Sequence, residues 1–168
     1  MNTLQKTMLV VVVVTLSILG RYQHISSPMA APIVHVNKLR VVTIESLNAQ
    51  INKVRSDGGL QPLTESPLLD ESASEKANEM IAEGEQPNPH LNKSGIEGYT
   101  KVFRHMPSCK YASENLIMYS DDRLSSTEAA VQAWMNSPAH RDAILKPDAR
   151  YVGYAIVGRF VVQHFCVL

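Results

Sequence analysis

At 168 residues the chain is long enough to bury the core of one domain, with room for a short appendage. Its 16 Lys and Arg balance 16 Asp and Glu, and the basic residues are scattered rather than gathered. No bulk field therefore draws it to nucleic acid or to an anionic membrane surface.

The N-terminus is the exception to this even composition. Lys6 precedes MLVVVVVTLSILG, residues 8–20, after which the chain turns polar. An apolar run this short behind a basic residue reads as a secretory signal, because a membrane-spanning helix needs about 20 apolar residues. Gly20, Ala30 and Ala31 each offer a small residue for cleavage, and no A-x-A selects one. Residues 1–31 are therefore assigned to a signal peptide or, if uncut, to an anchor carried by 8–20. A leader, 32–42, follows, with Pro28 and Pro32 breaking regular structure around its start. The expected location is secreted or periplasmic, with no stable membrane span once the signal is removed.

Ile44, Leu47, Ile51 and Val54 predict a helix over 43–59, stopped by Gly58-Gly59. Residues 60–69 form a turn-rich bridge. A second helix is predicted from about 66 to 83, with Leu69, Ala73, Ala77, Met80 and Ile81 inside and Gly84 as its end. EQPNPHLNKSG, 85–95, has loop chemistry throughout and holds His90. A short helix around 96–105 draws on Ile96, Tyr99, Val102 and Phe103, whereas 111–120 fits a strand or a short helix equally. Ser125-Ser126-Thr127-Glu128 suits a capping box opening a helix through Trp134. Pro138 suits the first turn of another helix, 138–145. Two strand-like runs, 151–157 and 159–168, meet as a hairpin at Gly158-Arg159. Helices first and a hairpin last give an α+β class.

After export Cys109 and Cys166 meet an oxidising compartment, where pairing is the default for two thiols within reach. No Gly-rich phosphate loop, G-x-S-x-G elbow or H-E-x-x-H helix is present. The serines have no local activating context. His90, Glu114 and His140 remain, a His2Glu set able to hold zinc with one position left for water. Nothing in their spacing selects that over a structural role. His164 reads as a strand-face residue, His105 as a solvent-facing helix end, and Trp134 as core.

LNAQINKVRSDGGLQPLTESPLLDESASEKANEM, 47–80, resembles the opening of the CAP superfamily (cysteine-rich secretory proteins, antigen 5, pathogenesis-related proteins). Asn52, Arg55, Pro62-Leu63, Ala73 and Ala77 carry that pattern. SENL, 113–116, resembles the family's G-E-N-hydrophobic motif, and AWMNSPAHRDAIL, 133–145, is similar to the bacterial A-W-M-x-S-P-x-H-R-x-x-I-L segment. VGYAIV and VVQHF stand where the family has its last strands. The resemblance covers about 43–168.

It implies a CAP domain over 43–168, a three-layer α-β-α sandwich with a small antiparallel sheet between helices. It also implies a surface groove with two His and two acidic residues, which binds a divalent metal in some members. By motif, His90 matches the first histidine, Glu114 an acidic residue and His140 the second histidine. Ser137 stands where many members have the other acid, and Ser113 where they have Gly. One carboxylate fewer attracts a dication less strongly. Ser137 is then left to cap the short helix or to hydrogen-bond an imidazole, and Asn115 to tie down backbone beside Glu114.

The expected binding groove is thus His90, Glu114, Asn115, Ser137 and His140. A divalent ion such as Zn2+ on His90 and His140 is one outcome and is not required. A hydrogen-bonded latch joining loop, sheet and helix is the other. Without a nucleophile, the expected function is an exported, monomeric binding or interaction module for a protein, peptide or lipid. A metal-assisted, peptidase-like hydrolase using His90, Glu114 and His140 is the alternative. Lipid or sterol binding is a third reading, suggested only by other branches of the family.

Overall fold

In a computed structural model, which describes residues 42–119 and 126–168, Thr43 opens helix α1 (Ile44–Asp57) with a reciprocal capping box. Ser46 N–H donates to Thr43 Oγ1, and Ser46 Oγ accepts from Thr43 N–H. The expected signal, 1–31, and all but the last residue of the leader, 32–42, lie outside the described residues. Leu47 and Ile51 are fully buried, with Ile44 and Val54 half-buried beside them.

The N-x-x-R pair in α1 fastens the chain that follows. Asn52 brackets Leu63, accepting from its N–H at 2.7 Å and donating to its C=O at 3.0 Å. The bridge is thereby held extended, and Thr64–Glu65 pairs in parallel as β1 with Tyr151–Val157, β3. This short strand turns an otherwise antiparallel sheet into a mixed one. Arg55 is fully buried and donates to the carbonyls of Gln61 (2.9 Å), Ile144 (2.6 Å) and Lys146 (3.0 Å). A buried guanidinium is tolerable because carbonyls replace its water.

Helix α2 (Pro67–Glu83) starts on Pro67 and stops at Gly84, whose φ is 76°. Leu69, Ser72, Ala73, Lys76, Ala77 and Met80 form its buried face. Ile81, expected inside, is 52% exposed, because one residue past Met80 turns it about 100° out of the stripe. The helix lies directly on β3: a Cβ at Gly153 would sit 2.2 Å from the Leu69 carbonyl carbon. A 3-10 turn (Gly98–Thr100) leads into α3 (Lys101–His105), which buries Val102 while Ile96 and Phe103 stay exposed. Ile96 precedes these turns, which begin at Gly98 rather than at 96 as expected, and in so short a helix Phe103 falls outside the few inward positions.

Residues 111–118 are a strand, β2 (Tyr111–Met118). Helix α4 (Thr127–Asn136) is capped by Ser126 Oγ, which accepts from Ala129 N–H at 3.1 Å, and α5 (Pro138–Ile144) restarts after Ser137. Strand β4 (Phe160–Val167) completes a hairpin with β3 about Gly158. The sheet order is β1-β3-β4-β2. On one face Tyr154, Val161 and Phe165 pack with Leu47, Ile51 and Trp134; on the other, Leu116, Ala155 and Val162 pack with Ala73, Ala77 and Met80. The architecture is the expected α-β-α sandwich. A Cys109–Cys166 disulfide joins the turn just before β2 to the end of β4.

Candidate functional site

Glu114 on β2 and His164 on β4 are cross-strand partners in the ladder, so both side chains lie on the α2 side of the sheet. His164 is fully buried, and its Nε2 meets Glu114 Oε2 at 2.9 Å. Its Nδ1 meets Ser72 Oγ of α2 at 2.7 Å. The other Glu114 oxygen, Oε1, is 2.7 Å from Nδ1 of His90. A single carboxylate thus bridges two imidazoles, and the chain Ser72–His164–Glu114–His90 joins a helix, two strands and a loop.

The loop is shaped to deliver His90. The Asn88 side chain accepts from His90 N–H at 3.0 Å, and Gly98 N–H donates to His90 C=O at 2.8 Å. Gly98 is required by space: a Cβ there would lie 2.2 Å from Glu114 Oε2 and 2.8 Å from the Lys76 stem. Burial opposes the Glu114 charge, but hydrogen bonds from His164 and His90 outweigh it and hold the carboxyl below its ordinary pKa. His90 is shifted up by its hydrogen bond to Glu114, against burial. His140 is shifted down by burial and then by the His90 charge.

His140 sits in the first turn of α5, its ring centroid 5.9 Å from that of His90. No described residue hydrogen-bonds its ring nitrogens or His90 Nε2. Asn115 lies on the sheet face opposite Glu114 and donates to His140 C=O at 3.1 Å and to Gln163 Oε1 at 3.2 Å. Adjacent residues of one strand thereby divide the work: Glu114 holds imidazoles, and Asn115 holds the helix that carries the second one. The backbone that Asn115 ties is that of α5, across the sheet from Glu114. Ser137 takes the N-cap position of α5 but makes no side-chain capping bond. It does not line the groove; its contribution is backbone, with N–H to Trp134 C=O and C=O from Arg141 N–H.

Tyr111, Ser113 and Glu114, with His90, form a shared wall of two shallow hollows. The one toward α5, about 520 Å³, also takes in His140, Ala143 and Leu145. The one toward α3, about 430 Å³, takes in Glu97, Tyr99 and Phe103. The ammonium of Lys146 lies 4.7 Å from the Tyr111 ring centroid.

Among the described residues no group of three or more His, Cys, Asp or Glu is arranged to hold a metal ion. Both Glu114 oxygens and His90 Nδ1 are engaged with each other and with His164. Two nitrogens, one from His90 and one from His140, are what this cluster leaves for a cation. Zinc sites ordinarily take three or four protein ligands, so these residues fit only an ion completed by water.

His164, Ser72 and Gly98 are the members of this cluster that sequence reasoning missed. His164 is the strand-face residue it was expected to be, and also the buried support of Glu114. Pairing β2 with β4 in register would have revealed it, but 111–120 had no settled secondary structure. His105 ends α3, half-buried between Glu71 and Glu75, and Trp134 is fully buried.

The fold is similar to solved structures of bacterial proteins. An extracellular protein containing an SCP domain from Bacillus anthracis gives a TM-score of 0.64 at 21% identity, over 74% of this chain and 40% of that one. An outer surface protein of Borrelia burgdorferi gives 0.63 at 20% identity, over 76% and 96%. A cysteine-rich secretory protein of Staphylococcus aureus gives 0.59 at 19% identity, over 74% and 38%. The chain matches well under half the length of the Bacillus and Staphylococcus proteins, and at these identities the likeness shows the fold alone. No curated protein matches significantly in sequence. Residues 49–167 match the sequence pattern of the CAP, or cysteine-rich secretory protein, family, and the chain belongs to that family.

Proposed function

We propose that the protein is an exported binding module that captures an extracellular or periplasmic ligand in the groove between His90 and His140. The observation carrying this reading is how the polar groups are used. Glu114 is fully occupied by His90 and His164, while His90 Nε2 and the His140 ring nitrogens, in residues that line the groove, have no hydrogen-bond partner among the described residues. Such a cluster can donate and accept hydrogen bonds, yet Glu114 is not left as a free carboxylate and no activated nucleophile stands beside it. The apolar run 8–20 and the disulfide support an exported location. Among the described residues no helix is long and apolar enough to cross a membrane.

The test uses capped single amino acids (N-acetyl, N′-methylamide forms of Asp, Ser, Asn, Leu and Phe) titrated into 15N-labelled protein. Members of the set are expected to move the His90, Ser113 and His140 signals and to lose that effect in His140→Ala. A set that moves none of these signals, or moves them equally in His140→Ala, would falsify the reading. A divalent ion belongs to it as an occasional third party bridging the two imidazoles through water. Zn2+ is then expected to raise the melting temperature of the wild type and not of His140→Ala. An equal rise in both proteins places the zinc elsewhere.

One observation favours a second reading, hydrolysis. His90 is shifted up and His140 down, the division a general acid and general base require. Peptide hydrolysis by the purified protein would have to vanish in a folded Glu114→Gln variant; activity surviving that change belongs to a different site.

A further inference from the structure

Among the described residues strand β2 is an edge strand, paired by β4 on one side and by no strand on the other. Which backbone groups face the open side follows from the ladder. Tyr119 N–H donates to Arg159 C=O at 2.9 Å, and the Cys166 carbonyl turns to β3, where Arg150 N–H takes it at 3.0 Å. In an antiparallel pair these directions alternate residue by residue. The odd-numbered residues of β2 therefore bond β4, and the N–H and C=O of Ala112 and Glu114 point outward. No described residue hydrogen-bonds those four groups. Ser113 Oγ, between them, is enclosed and likewise without a partner.

Together with the two hollows, this edge specifies a ligand class. We propose that the open edge at Ala112–Glu114 accepts an extended peptide as an added strand. An added strand would lie about 4.8 Å from β2 and send successive side chains to opposite faces. One face leads to the hollow walled by Tyr99 and Phe103, the other to the hollow walled by Ala143 and Leu145. Two consecutive residues of the peptide are thus seated on either side of the sheet, while its backbone answers Ala112 and Glu114. Lys110 and Lys146 are offset by Glu97 and Asp142 around the hollows, so the groove sets no requirement for a charged peptide. A lipid lacks the alternating amide donors and acceptors this edge presents. The proposal rests on the groove being a binding site and names what it binds.

The probe is a panel of peptides acetyl-Ser-Thr-X-Z-Thr-Ser-amide, with X and Z varied over all residues except Pro, titrated into 15N-labelled protein. Members with apolar X and Z are expected to shift the Ala112 and Glu114 amides. Methylating alternate backbone nitrogens of the best binder should abolish binding in one phase and spare it in the other. Ala112→Pro removes an outward N–H without touching the β4 ladder, and is expected to weaken binding about fivefold. If that variant melts early, the methylated pair against wild type reads the same contact. A panel that leaves both amides unmoved, or binding indifferent to methylation phase, overturns strand addition. If capped amino acids still move His90 and His140 in that case, the groove stands as a binding site and only the peptide mode fails. If neither moves them, both fall.

Discussion

Glu114 keeps its charge in a buried place because two imidazoles surround it, and that mutual dependence has a defined pH signature. Its folded pKa is depressed below 4.5, so its contribution to stability is present above that value and lost as pH falls through the folded pKa. The His90 pKa is raised above 6.5, so its contribution is complete below 6.5 and lost as pH rises through the folded value. The pair stabilises most between 4.5 and 6.5. The difference in melting temperature between wild type and Glu114→Gln is accordingly expected to peak in that window; a difference flat across pH 4–8 would contradict the ion pair. Side-chain NMR should place the His90 titration above that of His140, with His90 moving down in Glu114→Gln. Gly98 offers an independent handle. An added methyl must displace either the carboxylate or the Lys76 stem, so Gly98→Ala is expected to cost about 1–3 kcal/mol. It should also lower the His90 pKa. Wild-type stability and an unchanged His90 titration would show that the loop does not approach Glu114 so closely.

At the level of elements, α2, β4 and β2 are fixed together by the same polar chain. Removing His164 leaves Ser72 Oγ and Glu114 Oε2 without that partner in a buried place. His164→Ala is expected to destabilise by about 3 kcal/mol, and His164→Gln, which can still donate, by less; equal losses would mean packing alone sets the cost. The same pairing explains why the sequence pattern of β2 is ambiguous. Asn52 and Arg55 declare themselves in sequence because each fastens distant backbone, leaving a short motif behind. Strand β2 instead carries Glu114-Asn115 at its centre, facing His164 and Gln163 across the ladder. Buried polar residues on both faces erase the apolar alternation by which strands are recognised, and site residues are where local rules fail. His90, Glu114 and His140 each stand in a segment where a family motif marks them. His164 has no motif of its own and becomes visible only through strand register. Ile81 and Phe103 depart from expectation for the opposite reason: both are apolar, yet both lie just outside the narrow buried faces of α2 and α3.

Across the molecule, the three layers meet at a sheet whose two ends are secured differently. Near the Gly158 turn, β3, β4 and β2 are held by packing of Leu116, Ala155, Phe160 and Val162 against α2. At the opposite end, beside the open edge, the Cys109–Cys166 bridge spans a sequence separation of 57 residues and sits among Leu69, Val102 and Met106. Closing a loop of that length removes denatured-state entropy equivalent to about 4 kcal/mol. For a domain of this size the loss corresponds to a fall of about 15 °C in melting temperature. A Cys109→Ser, Cys166→Ala double variant is expected to show a drop of that order and to keep a single cooperative transition, since α2 and the far end of the sheet do not depend on the bridge. Its hydrogen exchange should quicken first at Tyr111 and Ser113, whose ladder bonds to β4 lie next to the lost crosslink. A melting temperature within a few degrees of wild type would mean that the start of β2 is already fixed by the polar chain through Glu114. Fast exchange there with only a small fall in melting temperature would instead separate the rigidity of the open edge from the stability of the whole domain. The bridge would then serve chiefly to hold the groove wall in shape.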